Sequence, residues 1–353
     1  NKMFVSDRQR RTEMEGNMEK RFIGQLEVSP IGMGCMGFSH GYGQIPNRTY
    51  SIEAIRKAYE FGCTFFDTAE TYGRDLYWEG HNEEILGEAV EPFRNEIVLA
   101  TKLHIHDEEV TEDMNLYDLI KGHLLKSLKR LRTEYVDLYY LHRITELVPV
   151  EDVASVMGKL IDEGLIKGWG LSQVDVDTLD KAHKITPVTA VQNLYNILER
   201  DCEDKIFPYC LENNIGVVPF SPIASGFLSG KITTQTEFEK TDDVRNFVPQ
   251  LSKENIAGNQ PILDILNKFA DVKKARPAQI SLAWMLKKYP NVVPIPGSKN
   301  QERIIENLGA WNVKLTDEEF NELQRALNQC EIHGHRGIVE TQHQTFSNNW
   351  RKS

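Results

Sequence analysis

Apolar residues along the chain follow two alternating patterns. Short runs rich in β-branched and aromatic residues predict buried strands, and stretches with apolar positions three or four residues apart predict helices that bury one face. The predicted strands are residues 31–34, 64–66, 97–101, 136–141, 166–171, 189–191, 217–220 and 292–295. The predicted helices are residues 52–60, 82–90, 116–131, 153–161, 175–185, 205–213, 278–288, 302–307 and 316–327. Eight alternating units joined by short links favour an α/β fold of the (β/α)8 TIM barrel type.

Residues outside this alternation predict additions to the barrel. Residues 21–29 predict an N-terminal β-hairpin that closes the bottom of the barrel. Extra C-terminal helices follow the last strand, and in the helix at 316–327 Thr316 is the expected N-cap, with Glu319 at the capping-box position. The long segments that break the short-link pattern are expected to border the mouth; they are residues 104–115, 225–260 and 329–353.

The length and composition of the chain disfavour membrane-spanning, secreted and nucleic-acid-binding proteins. The 353 residues are 40% hydrophobic, enough for one large core, and we interpret residues 21–353 as a single domain behind a flexible N-terminal extension, residues 1–20. No apolar run approaches the roughly 20 residues of a membrane span, and the polar N-terminus lacks the apolar centre of a secretory signal. The net charge of −11 argues against a nucleic-acid-binding surface. Five scattered cysteines without a CxxC pair favour reduced thiols and a cytoplasmic location.

Polar side chains come directly after three successive predicted strands. These are Asp67, Lys102 and His142, and Tyr72 lies in the turn beyond Asp67. Because active sites of barrels lie at the carboxyl ends of the parallel strands, the four side chains are expected to face one mouth. A free phenol has a pKa near 10 and is too weak an acid at neutral pH. A neighbouring ammonium would lower that pKa, a carboxylate would hold the ammonium, and an imidazole could bind the substrate oxygen.

Residues 32–37 satisfy the GxGxxG pattern of dinucleotide-binding domains. That pattern requires its last glycine to open a helix, and an acidic residue to close a strand about 20 residues later. Here a glycine-rich loop follows, and the acid at that distance, Glu53, lies in a predicted helix. We therefore reject a Rossmann domain and expect these glycines to let the backbone pass close to a ligand.

His104 and His106 form an HxH motif after the third predicted strand, which raises the possibility of a metal-dependent hydrolase. A metal site needs further ligands, and the fifth and sixth predicted strands end at Ser172 and Gln192, which are not metal-binding histidines or carboxylates. We therefore predict no metal site. The two histidines are expected to be loop residues that line the mouth.

Several motifs, in the right order across residues 21–327, resemble the aldo-keto reductase family. The chain is most similar to its bacterial-type branch, which is like the potassium-channel β-subunits. The motifs are Gly34-Cys35-Met36-Gly37, Phe65-Phe66-Asp67-Thr68-Ala69, Tyr72-Gly73, Tyr139-Tyr140-Leu141-His142, Gly226-Phe227-Leu228-Ser229-Gly230-Lys231, and Pro296-Gly297-Ser298-Lys299 followed by Arg303, Glu306 and Asn307.

The resemblance implies a role for each matching residue. Tyr72 would be the general acid, Lys102 and Asp67 would tune it, and His142 would orient the carbonyl. The nicotinamide would contact Ser172 and Gln192 through its amide and Phe220 through its ring. The pyrophosphate side would contact Ser221, Ile223, Ser225, Gly226 and Lys231. At the adenosine end, Ser298, Lys299 and Arg303 would hold the 2′-phosphate and Glu306 and Asn307 the adenine, and Gly297 belongs to the same cofactor site.

Three features depart from the pattern of many relatives. Gln173 stands where they have Asn, residues 74–81 form an insertion after Tyr72, and Gln250 stands where long-loop relatives often have Arg.

The function implied by the resemblance is the reversible, NADP(H)-dependent reduction of an aldehyde or ketone to an alcohol, with a small-molecule carbonyl as the partner. The alternative is a nicotinamide-nucleotide-sensing binding protein with weak or vestigial reductase activity, because potassium-channel β-subunits resemble the family and keep much of its site. Turnover of a simple aldehyde distinguishes the two. The sequence leaves the substrate and the oligomeric state open.

Overall fold

The computed structural model describes residues 18–337. The predicted extension at 1–20 and the end of the predicted C-terminal loop therefore lie largely outside the described residues. The strands in chain order are β1 (Arg21–Ile23), β2 (Leu26–Val28), β3 (Met33–Gly34), β4 (Phe65–Asp67), β5 (Val98–Leu103), β6 (Val136–Leu141), β7 (Ile166–Ser172), β8 (Ala190–Gln192) and β9 (Gly216–Val217).

Strands β3 to β9 form a curled, parallel seven-stranded sheet in which neighbours follow chain order. In the register of the sheet, Asp67 lies opposite Ala100 and Lys102 lies opposite Tyr140. Parallel neighbours require a crossover connection, which the helices between the strands provide. The carboxyl ends of all seven strands consequently lie at the same end of the sheet.

Residues 292–295, the predicted eighth strand, form no regular strand in the structure. Isolated parallel bridges at Val292 and Gly297 join this part of the chain to β9 on one side and to β3 on the other. Pro294 and Pro296 have no N–H to donate to a ladder, so pairing is interrupted along the segment. The eight-stranded prediction is thus matched only in part: seven strands are regular, and bridges connect the remaining segment to both edges.

The predicted hairpin is present as β1 and β2, which pair antiparallel. Ile23 lies against the first residue of β9, where a side chain on Gly216 would meet the Ile23 backbone at 2.8 Å. The hairpin therefore covers the amino ends of the strands, opposite the predicted mouth. Its apolar side chains share one buried cluster with residues of the sheet: Ile23, Leu26, Val28, Phe65, Val98, Ala100, Leu138, Tyr140, Ala190, Val218, Val293 and Ile295.

The helices pack their apolar faces in a second, larger buried cluster with the other face of the sheet. They are α1 (Arg48–Glu60), α2 (His81–Val90), α3 (Leu116–Leu131), α4 (Val150–Asp162), α5 (Val176–Ile185), α6 (Ile206–Glu212), α7 (Lys253–Gly258), α8 (Gln260–Lys273), α9 (Pro277–Lys288), α10 (Gln301–Leu308) and α11 (Asp317–Asn328). The capping box of α11 is confirmed, since Thr316 and Glu319 exchange bonds between side chain and backbone at 3.1 and 2.8 Å. Within residues 18–337, no helix has the length and apolar character needed to cross a membrane.

Two helices were missing from the sequence-based prediction. Residues 225–260 were expected to be a long segment bordering the mouth, with no helix assigned to them, yet they contain α7, and α8 follows directly. The signal was present in the chain, because Ile262, Leu266 and Phe269 recur at helical spacing behind Pro261, a residue favoured in the first helical turn.

Strand limits also differ near the predicted mouth. The third strand of the sheet, β5, was expected to stop before Lys102, but it continues to Leu103. Lys102 therefore lies inside a regular strand, with a side chain that is completely buried. The seventh predicted strand, 217–220, is regular only at its start, and Pro219 interrupts it.

Candidate active site

The ammonium of Lys102 is the centre of a buried polar cluster. Its Nζ donates to Asp67 Oδ1 at 2.5 Å, to the Thr68 carbonyl at 2.8 Å and to Tyr72 Oη at 3.0 Å. A lysine ammonium has three donors and no acceptor, so all three donors are used. Tyr72 Oη accepts one of these bonds, and its own proton therefore remains available to another acceptor.

The elements of the fold explain how these groups meet. Asp67 is the last residue of β4, and Lys102 projects from the neighbouring strand β5. Tyr72 lies in the loop that follows β4, where its carbonyl accepts the Asn82 N–H at the start of α2. Asp67 Oδ2 also accepts a bond from Gln192 Nε2 at 2.9 Å, so both carboxylate oxygens have partners.

Burial and charge act in opposite directions on this cluster. Burial raises the pKa of Tyr72 above its ordinary value, and the Lys102 ammonium opposes that rise. The expected net lowering of the phenol pKa by Lys102 is therefore not seen, because desolvation outweighs it. Burial lowers the pKa of Lys102, but the Asp67 charge and the hydrogen bonds to Asp67 and Tyr72 more than compensate and raise it. Lys102 consequently stays protonated at neutral pH.

His142 directly follows β6, and its backbone N–H bonds to the Leu103 carbonyl at 2.8 Å. Its ring meets the Tyr72 ring edge-on, with 5.7 Å between centroids. Burial, together with the nearby charges of Arg143 and Lys102, holds the pKa of His142 well below its usual range. A neutral imidazole keeps one N–H donor, and it can therefore hydrogen-bond an oxygen beside the Tyr72 phenol.

All predicted site residues except Lys102 line one cavity at the carboxyl end of the sheet. They are Asp67, Tyr72, His142, Ser172, Gln192, Phe220, Ser221, Ile223, Ser225, Gly226, Lys231, Gly297, Ser298, Lys299, Arg303, Glu306 and Asn307. Lys102 does not line the cavity itself, but its ammonium donates a hydrogen bond to the hydroxyl of Tyr72, which does. The structure thus brings the sequence-predicted residues together at one site.

The loop after β9 has backbone geometry suited to an anion. Ser221, Ala224 and Ser225 all have positive φ angles of 48–54°, followed by Gly226 at 95°. Non-glycine residues in this region are uncommon and concentrate at ligand-binding sites, and turns of this kind can direct successive N–H groups at a phosphate. The buried Ser225 hydroxyl has no hydrogen-bond partner among the described residues. A dinucleotide phosphate fits this donor set.

The predicted adenosine end lies around the N-terminus of α10. Asn300 caps this helix by accepting the Arg303 N–H at 3.0 Å, and the Arg303 side chain is exposed at the cavity rim. The Lys299 ammonium instead bonds to the carbonyls of Tyr42 and Gln44 in the glycine-rich loop after β3. Lys299 therefore lines the cavity while holding that loop.

The departures from the family pattern also have structural roles. Gln173 does not line the cavity; its side-chain oxygen accepts the Leu194 N–H at 3.0 Å. Gln250 is buried away from the cavity and donates to Glu199 Oε1 at 3.2 Å. Of the inserted residues 74–81, residues 74–78 are exposed, Trp78 among them, whereas Gly80 and His81 are buried.

His104 and His106 do not line the cavity, contrary to expectation, and none of residues 104–115 does. This segment packs instead beside His123, whose ring bonds to Glu70 at 2.9 Å and to Glu109 at 3.0 Å. Among residues 18–337, no group of three or more His, Cys, Asp or Glu side chains has an arrangement that could hold a metal ion.

Sequence reasoning missed several cavity residues. Arg143 directly follows His142, and its Nη1 donates to Ser172 Oγ at 3.0 Å. Its position at the end of β6 was a signal that could have identified it. Arg336 also lines the cavity, but nothing in the local sequence indicates that a residue of the C-terminal segment points into the barrel.

A family model and several known proteins are similar in sequence to this chain. The model of the aldo/keto reductase family matches residues 30–328. Probable aldo-keto reductase 1 of Glycine max is 36% identical, over 88% of this chain and 89% of that protein. Aldo-keto reductase yakc (NADP(+)) of Schizosaccharomyces pombe is 35% identical, over 90% of this chain and 93% of that protein.

Solved structures show the same architecture. A glycerol dehydrogenase from Gluconobacter oxydans superimposes with a TM-score of 0.76 and 26% identity, covering 88% of this chain and 95% of that one. An aldo/keto reductase from Klebsiella pneumoniae, crystallised with NADP and acetate, has a TM-score of 0.68 and 26% identity, covering 90% and 98% of the two chains.

Proposed function

The chain belongs to the aldo/keto reductase family, and from that premise we propose that it reduces an aldehyde or ketone to an alcohol with NADPH. The observation that carries the proposal is the Lys102 ammonium, held 2.5 Å from Asp67 and 3.0 Å from the Tyr72 hydroxyl. Tyr72 opens onto a cavity whose far side is lined with groups suited to phosphates.

The proposed cofactor position follows from the donors along the cavity. Ser172 and Gln192 end the neighbouring strands β7 and β8 and would bind the carboxamide, beside the ring of Phe220. The orphaned Ser225 hydroxyl and the positive-φ turn around it would hold the pyrophosphate. Ser298 and Arg303 would meet the 2′-phosphate, since a guanidinium can bind phosphate through two parallel bonds. When bound, NADPH supplies a hydride to the carbonyl carbon.

Side chains of the protein would protonate and hydrogen-bond the carbonyl oxygen as negative charge develops on it. Tyr72 donates its O–H proton to that oxygen, and the Lys102 ammonium stabilises the phenolate that remains. Neutral His142 donates a hydrogen bond to the same oxygen and orients the carbonyl. Asp67 is a positioning residue, because it acts through Lys102.

The test is a panel of aldehydes and ketones assayed for NADPH oxidation, with Tyr72→Phe as the matched variant. We expect turnover by the wild type and a loss of roughly 10²- to 10⁴-fold in Tyr72→Phe, the usual range for a positioned acid. NADPH affinity, measured by quenching of protein fluorescence, should hardly change. A variant that keeps more than about a tenth of the rate would rule out Tyr72 as the acid.

The same experiment addresses the nucleotide-sensing alternative related to the potassium-channel β-subunits. Tight NADPH binding without turnover of any carbonyl would favour it over the reductase. We also propose a cytoplasmic location, because the five cysteines are scattered along the sequence without a CxxC pair and reduced cysteines are typical of that compartment.

A further inference from the structure

The segment after α11 is fixed against the barrel by bonds from three directions. Asn259 exchanges bonds with the His333 backbone, at 2.8 Å in both directions. The Gln250 N–H bonds to the His335 carbonyl at 3.1 Å. The Arg336 N–H donates to Glu199 Oε1 at 2.6 Å. The backbone at Arg336 is therefore held in a defined position over the cavity.

The Arg336 side chain lines the same cavity as Tyr72 and His142. Only 5% of the residue is exposed, and its buried Nε and Nη1 have no hydrogen-bond partner among residues 18–337. A guanidinium is always charged, and burying a charge without a hydrogen-bonded partner is strongly unfavourable. Such a group indicates that an anion belongs beside it.

The charged side chains near Tyr72 also favour a bound anion. A second guanidinium, Arg143, donates to the His142 carbonyl and to Ser172 Oγ, but its buried Nε has no hydrogen-bond partner in the part of the chain that the structure describes. Burial lowers the pKa of Arg143 to about 10. The carboxylate at this end of the cavity, Asp67, already bonds Lys102 and Gln192.

The other carboxylates that line the cavity, Glu239 and Glu306, already have partners at its opposite end. Glu239 accepts the Gln44 N–H at 3.0 Å in the glycine-rich loop, and Glu306 lies 3.8 Å from the Lys231 ammonium. Among the described residues that line the cavity, the guanidinium groups of Arg143 and Arg336 therefore have no carboxylate partner.

We propose that Arg336 determines specificity by binding a carboxylate on the carbonyl substrate, so that the enzyme prefers aldehydes or ketones that carry an acidic group. This inference rests on the proposed reductase function. The competing source of an anion is the cofactor pyrophosphate, but its expected contacts lie on other segments, with the Ser225 turn and Lys231. Arg143 would add a second positive charge near the substrate.

The experiment compares acids with their own methyl esters, because each pair has the same carbonyl group. Suitable pairs are para-carboxybenzaldehyde and succinic semialdehyde, each with its ester, which place the carboxylate at different distances. We expect wild-type kcat/KM to favour the acids. In Arg336→Gln the acid-to-ester ratio should fall by roughly 10- to 150-fold, the range for a lost hydrogen bond to a charged group. NADPH affinity should stay within about twofold, far less than the loss of such a bond would produce.

Two further variants control the result. Arg325→Gln removes the same charge from an exposed position on α11 and should keep the wild-type ratio. Arg336→Lys keeps the positive charge but lacks the paired donors of the guanidinium, and it should retain part of the preference for acids. If Arg336→Gln fails to fold, Arg336→Lys replaces it in the comparison with wild type.

Two results would overturn the proposal: equal use of acid and ester by the wild type, and an unchanged acid-to-ester ratio in Arg336→Gln. An unchanged ratio together with a loss of NADPH affinity would assign Arg336 to the cofactor pyrophosphate. Failure of the reductase function is separable, because it would show as no turnover of any carbonyl. In that case, calorimetry of benzoate and benzamide binding to the NADP-loaded protein decides the inference: benzoate binding that depends on Arg336 supports it, and equal binding of the two refutes it.

Discussion

The pair formed by Lys102 and Asp67 allows stability and activity to be separated by a double-mutant cycle. The two side chains are almost fully buried and lie 2.5 Å apart. Lys102→Met removes the ammonium and leaves the Asp67 carboxylate in the core with only the Gln192 amide as a side-chain partner. Breaking a buried ion pair by removing one member typically costs about 3–5 kcal/mol in the free energy of unfolding.

The effect on rate follows from the distance between Lys102 Nζ and Tyr72 Oη, 3.0 Å. At an effective dielectric constant of about 20, an ammonium at that distance stabilises a full phenolate charge by about 5 kcal/mol. If about half of that charge develops in the transition state, Lys102→Met should raise the barrier by about 2–3 kcal/mol, which is roughly a 30- to 150-fold loss in kcat.

The double variant Lys102→Met/Asp67→Asn should behave differently in the two assays. The amide that replaces the Asp67 carboxylate carries no charge, so most of the lost stability should return, measured as the free energy of unfolding in urea. The activity should stay at the level of Lys102→Met, because Asp67 acts on the Tyr72 phenol through the lysine. Lys121→Met, which breaks a surface pair with Glu163, is the matched control and should change stability far less.

Two outcomes would refute this reasoning. If the double variant is as unstable as Lys102→Met, the unpaired Asp67 charge is not the cause of the instability. If the losses in kcat of the two single variants multiply in the double variant, Asp67 and Lys102 act on the reaction independently.

Three other predictions follow from the cavity and the core. Arg303→Ala should weaken NADPH binding by roughly 10- to 150-fold and leave NADH binding almost unchanged in fluorescence titrations; equal weakening of both would exclude the 2′-phosphate assignment. Ser225→Ala should weaken NADP(H) binding by roughly 10-fold without loss of thermal stability, and unchanged affinity would remove the Ser225 hydroxyl from the phosphate site. Burial raises the pKa of Glu83 from 4.5 to about 7, so its contribution to stability is complete below pH 4.5 and is lost as the pH rises through 7. Relative to wild type, Glu83→Gln should gain about 3 kcal/mol of stability across that range in urea unfolding, and a constant difference between the two proteins would contradict the shift.

Much of the fold could be predicted from the sequence because its signals are local. The helical spacing of Leu116, Ile120 and Leu124 depends only on which face of a helix is buried, and α3 begins and ends at the predicted residues. The capping box at Thr316 is likewise a contact between near neighbours in the chain. The positions of Asp67 and His142 at strand ends required only one further rule, that parallel strands end on the same side.

The tertiary structure decided what depends on residues far apart in the chain. Whether the pKa of the Tyr72 phenol is raised or lowered depended on the competition between desolvation and the Lys102 charge, and desolvation can be known only once Tyr72 is buried. The pairing of residues 292–295 depended on both edges of the sheet and on the missing N–H of Pro294. The placement of Arg336 in the cavity depended on the bond of the His335 carbonyl to Gln250 and of the Arg336 N–H to Glu199. No local pattern encodes how a C-terminal segment crosses a barrel that is assembled from the rest of the chain.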